Sequence, residues 1–122
     1  MQTTQEIRTY AALIHLSPII GSLLSGGLLN FLLPLILWLI RRNEHVFIDE
    51  TGKEVVNFQI SLLIYYVVGI ALAIATLGLG LIILIPLWLI LSVLTIIFAV
   101  IGAIQASDGK IYRYPLNLRL IK

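Results

Sequence analysis

For most of its length this chain does not alternate hydrophobic and polar residues; it separates them into long blocks. Residues 9–40 and 55–107 carry no formal charge. Within both blocks Leu, Ile, Val and aromatic residues follow one another, interrupted by small or hydroxyl-bearing residues. About 20 such residues suffice for one helical crossing of a bilayer. The first block would be about 48 Å long as one helix at ~1.5 Å per residue, too long for a straight span of a ~30 Å hydrocarbon core. Its middle holds Ser25, Gly26, Gly27 and then Asn30, which favour turns and weaken helices, so it divides into segments 9–24 and 28–40. The second block divides at ATLGLGL, where Gly78 and Gly80 break a Leu- and Ile-rich run, giving segments 56–77 and 81–105. Pro86 falls in the first turns of the last segment, where its missing N–H matters least, while Pro18 and Pro34 would kink theirs.

The pattern predicts an all-α integral membrane bundle, one domain over residues 1–122. It has four hydrophobic segments in two hairpins, a cytoplasmic loop over 41–55 and an extended cytoplasmic tail over 107–122. In the loop Thr51 is placed as an N-cap, with Glu54 three residues on in a capping-box arrangement. In the tail Leu116, Leu118 and Leu120 alternate with Asn117 and Arg119, and Pro115 biases Tyr114 toward extended geometry. The tail is expected to lie along the surface.

Composition narrows the class. Of 122 residues 60% are hydrophobic and 11% charged, against about half and about a quarter in soluble domains. Small soluble domains leave much of their surface wet and could not use so much apolar surface. Without cysteine there is neither disulfide nor thiolate chemistry, and a net charge of +2 does not imply nucleic acid. The opening MQTTQEIR is too polar for a secretory n-region and SLLSGG lacks a cleavage pattern, so the first segment is expected to be retained.

With four segments, every Lys and Arg falls on one side: Arg8; Arg41, Arg42 and Lys53; Lys110, Arg113, Arg119 and Lys122. The positive-inside tendency makes that side, with both termini, cytoplasmic. A three-segment reading moves only Arg8. Trp38, Tyr112, Tyr114 and Pro115 are read as interfacial residues at this boundary.

Polar and small residues recur at helical spacing. Asn57, Ser61, Tyr65 and Gly69 share one face of the third segment. Ser92, Thr95, Ala99, Gly102 and Ala106 form a seam on the fourth along which a neighbouring helix can approach closely. Ala11, His15, Pro18, Ser22 and Ser25 form a third stripe. His15, Asn57, Gln59 and Ser61 are the candidate intramembrane polar contacts, as structural hydrogen bonds or as substrate contacts. Asn57 is expected to reach His15, and Gln59, about 200° around the helix, the loop or the tail around Tyr114. The acidic residues Glu44, Asp49, Glu50 and Glu54 read as a solvated charge pattern.

No catalytic, cofactor-binding or metal site is expected. TGK at Thr51–Lys53 lacks the rest of a phosphate loop, and LGLGL is a turn. His15 and His45 have no metal-ligand spacing, and no span holds a carboxylate.

Four stretches, HLSP at His15–Pro18, LLPLILWLIRRNE at Leu32–Glu44, GKEVVNFQIS at Gly52–Ser61 and the ending AIQASDGKIYRYPLNLRLIK, together resemble the small bacterial Tic-twenty-like membrane proteins. These are distant relatives of a chloroplast inner-envelope translocon channel component. The resemblance implies a four-helix membrane fold in the bacterial cytoplasmic membrane and marks His15, Asn57, Phe58, Gln59, Tyr114 and Pro115 as motif positions, none catalytic.

The expected function is that of a non-enzymatic helix-packing scaffold or subunit of a larger membrane complex, in protein translocation or membrane homeostasis. Its partners would be lipids and either copies of itself or other membrane proteins, with no nucleic acid. The alternative is an oligomeric transporter or channel for a small solute or ion, with His15, Asn57 and Gln59 lining one cavity.

Overall fold

A computed structural model describes residues 4–25 and 29–121. Among the described residues there are four α-helices and no strand: α1 Gln5–Ser25, α2 Leu29–Arg41, α3 Val46–Ala75 and α4 Leu81–Ser107. At ~1.5 Å per residue they measure about 31, 20, 45 and 40 Å. α3 and α4 are long and apolar enough to cross a membrane, whereas α2 is apolar but short. The expected turn at Gly26 and Gly27 lies outside the described residues.

α1 is the centre of the packing and touches all three other helices, while α3 and α4 meet only sparsely. It starts at Thr4, whose hydroxyl accepts the Ile7 N–H at 3.3 Å, as N-caps do. It continues through Pro18, whose ring removes the N–H that would bond the Ile14 carbonyl four residues back. The Ser17 hydroxyl donates to that carbonyl at 2.7 Å, so the freed acceptor is satisfied within the helix.

α3 begins at Val46, well before the segment expected at 56, and most of the expected loop is helix. The cap is His45, not Thr51: its extended backbone places Nδ1 to accept the Phe47 N–H at 2.9 Å. Thr51 is buried inside the helix, and its hydroxyl has no partner among the described residues. Phe47, Ile48, Thr51, Gly52 and Val55 are buried along this first stretch, a 3.6-residue period. A Cβ on Gly52 would collide with the Trp38 ring of α2. Trp38, read as interfacial, is buried there as a wedge between helices, its indole N–H donating to Asp49 at 2.9 Å.

The α3–α4 turn closes α3 with Leu77 at φ 56. The Gly78 N–H returns to the Ala73 carbonyl and the Leu77 N–H to the Ile74 carbonyl, a Schellman arrangement with leucine where glycine is usual. α4 ends in the same arrangement around Gly109 at φ 79. There the chain turns back and passes the Arg8 guanidinium.

The charged residues gather where α1 and α3 begin and α2 and α4 end. Arg41 pairs with Glu6 at 3.0 Å and Glu44 at 2.9 Å and lies over the Tyr10 ring. The opposite turn, Thr76–Gly80, carries no charge.

Candidate functional site

The densest polar cluster of the described chain lies where the tail folds back on α3. Glu54 is 2% exposed. Its carboxylate accepts the Tyr114 backbone N–H at 2.6 Å and two N–H groups of Arg119 at 3.0 and 3.3 Å, with Arg113 at 3.6 Å. Its carbonyl accepts the Asn117 amide at 2.9 Å. A buried carboxylate needs such charge-assisted partners. Sequence reasoning took Glu54 for a solvated cap residue. Its partners lie some 60 residues away in sequence, and the local signal was its place between Val55 and the buried Thr51.

One turn further, Asn57 does not reach His15. Its amide donates to the Ile121 carbonyl at 2.8 Å and its oxygen accepts the Ile121 N–H at 2.7 Å, pairing with the tail backbone as a neighbouring strand would. Ser61 accepts the Leu118 N–H at 2.8 Å and donates to the Asn57 carbonyl at 2.9 Å. Tyr65 donates to the Leu116 carbonyl. The face Asn57–Ser61–Tyr65 therefore binds the tail, not another helix.

Tyr114, read as interfacial, is 2% exposed and stands inside the bundle. Its ring packs on Phe58 at 4.6 Å between centroids and on His15 at 5.4 Å, and its hydroxyl meets His15 Nδ1 at 2.6 Å. Burial pushes the phenol's pKa well above its ordinary value, with Tyr112 and Glu54 adding to the shift; it stays protonated as a hydrogen-bonding partner. His15 is fully buried, and its other nitrogen has no partner among the described residues. A Cβ on Gly102 would come within 2.5 Å of the imidazole, so the glycine is what admits it. Ala99, Gly102 and Ala106 of the α4 seam are buried, whereas Ser92 and Thr95 bond to carbonyls of their own helix. Tyr112 is half-buried and Pro115 exposed.

Gln59 points the other way. It is 6% exposed and lines a cavity of about 310 Å³ between α1, α3 and α4, with Ser22, Leu62, Tyr66, Thr95 and Tyr114. Asn57 lines a different groove, with Lys53, Arg113 and Arg119. His15 lines neither, so the three residues expected to share one cavity are not brought together. Among the described residues no group of three or more His, Cys, Asp or Glu could hold a metal ion.

The sequence model of the magnetosome magnetite crystal formation protein family, MamF/MmsF, matches residues 6–121. No curated protein and no solved structure matches the chain. The match spans nearly the whole chain and replaces the Tic-twenty-like resemblance; with that resemblance goes the translocation role it implied.

Proposed function

We propose, because the chain belongs to the magnetosome magnetite crystal formation protein family, that it is a non-enzymatic, multi-pass subunit of the membrane in which such crystals form. Its work is to pack against copies of itself or other membrane proteins. The crystal-forming setting comes with the family. The packing role rests on this chain: Glu54, Asn57, Ser61 and Tyr65 of α3 are engaged by its own tail, while the far parts of α3 and α4 present Val67, Ile70, Ile74, Ile82 and Leu89 outward. Such a face suits lipid or another helix.

In this reading α1 and α2 enter as a second hairpin from the charged side, which is cytoplasmic by its Lys and Arg content. The short α2 is accommodated by local thinning of the bilayer. Crosslinking in native membranes, with mass spectrometry of the products, tests the packing role; a strict monomer with no crosslinked neighbour sinks it. Deleting the gene in a magnetite-forming cell tests the setting. Crystals of unchanged size and number would remove the setting and leave the packing role standing.

A further inference from the structure

After α4 the chain enters no further helix or strand up to Ile121, yet it does not trail away from the bundle. It runs back along α3 and reverses at Pro115 and Leu116, with Leu116 at φ 63 and Arg119 at φ 52. At the apex, the Leu116 carbonyl is held by Tyr65. Tyr65 lies eleven residues beyond Glu54, about 16 Å along the helix axis, inside the block that carries no charge. The hook therefore stands beside the apolar part of α3.

From Leu116 to Leu120 its side chains are arranged inside out for a segment in water, whereas Arg113 before them faces outward. Asn117 is buried and Arg119 is turned in to Glu54, while Leu116, Leu118 and Leu120 are 57%, 46% and 59% exposed. Part of its backbone is served by side chains. The N–H groups of Tyr114, Leu118, Arg119 and Ile121 go to Glu54, Ser61, Asn117 and Asn57. The carbonyls of Tyr114 and Asn117 accept from Arg119, and that of Ile121 from Asn57. A loop in water has no need of this, because water would do it. Irregular backbone at membrane depth requires it.

We propose that residues 113–121 form a re-entrant hook whose row Leu116, Leu118 and Leu120 is inserted among the lipids of the leaflet at the charged end. The tail is then a lipid-binding element and not a cytoplasmic strand. This rests on the reading of α3 and α4 as membrane spans.

The absence of cysteine makes the test direct. Single cysteines replace Leu118, Leu120, Lys110 and Val67 in purified protein reconstituted at low density into lipid vesicles. The vesicles are permeabilised so that a charged maleimide reaches both faces, and SDS-unfolded protein gives full labelling. Leu118→Cys and Leu120→Cys are expected to lose labelling as Val67→Cys does, while Lys110→Cys labels fully. A bimane on Leu118→Cys is expected to be quenched by lipids spin-labelled near the glycerol. Labelling at 118 and 120 as at Lys110→Cys, with Val67→Cys still protected, overturns the hook alone. Labelling of Val67→Cys as well overturns the spanning reading beneath it. Protection without quenching means that a second copy covers the leucines, and also overturns the lipid assignment.

Discussion

The two halves of α3 are one continuous helix built on opposite terms. From Val46 to Leu62 the helix buries Phe47, Ile48, Thr51, Gly52 and almost every residue from Glu54 to Leu62, whereas from Leu63 to Ala75 it buries only Gly69 and Ala73. The near half is held by α1, α2 and the tail through particular hydrogen bonds and close contacts. The far half meets the rest of the protein at Tyr65, which bonds the Leu116 carbonyl, and at Trp88, which stands over Gly69 and at 6.1 Å from the Tyr66 ring. In the near half the identity of a residue decides whether a bond exists; in the far half, apart from Tyr65, which holds the Leu116 carbonyl, and Gly69, which makes room for Trp88, it is enough to be apolar and helical.

Replacing residues in each half sharpens that contrast, and the effects should fall in order. Glu54→Ala leaves two arginines and a backbone N–H without their acceptor, and should cost about 3 kcal/mol in thermal or denaturant unfolding in detergent; an unfolding midpoint unchanged from the parent would mean that the carboxylate does not hold the tail. Gly102→Ala pushes a methyl into the His15 ring, an overpacking worth about 2 kcal/mol, visible in the same assay. Asn57→Leu removes both bonds to Ile121 and should cost about 1 kcal/mol, with faster amide exchange confined to the last residues; exchange spreading into α1 would show that Asn57 supports the bundle and not the tail alone. Val67→Ala, on the exposed far half, should stay within about 0.5 kcal/mol. If it cost as much as Gly102→Ala, the far half would be packed against a second copy in the detergent complex, and the contrast between the halves would break.

How far the sequence could be read follows the same division. Four apolar segments, the Gly78 turn and the small residues at Ala99, Gly102 and Ala106 are local signals of hydrophobicity, backbone freedom and spacing. The start of α3 was misread because Asp49, Glu50, Lys53 and Glu54 break the apolar block, although Phe47, Ile48, Thr51, Gly52 and Val55 keep the helical period beneath them. Asn57 and Ser61 stood out as polar residues on one face, but their partner did not, because the tail's register against α3 depends on a reversal at Leu116 that no glycine announces. Tyr114 next to Pro115 looked like a boundary aromatic, and only the gap left by Gly102 and His15 explains why it goes inward.

The pairing of Glu54 with residues 113–119 also imposes an order of events during synthesis. Domains made on a ribosome assemble from the N-terminus onward, so α1, α2 and the first half of α3 exist some 60 residues before the tail that completes them. Until then Glu54 has neither Arg113 nor Arg119, although the start of α3 can already dock on α2 through Trp38, Asp49 and Gly52. Glu54, Asn57 and Ser61 gain their tail partners only when the final stretch of chain emerges, so a product cut short before Arg113 would present an unpaired acid and an unfilled slot beside His15.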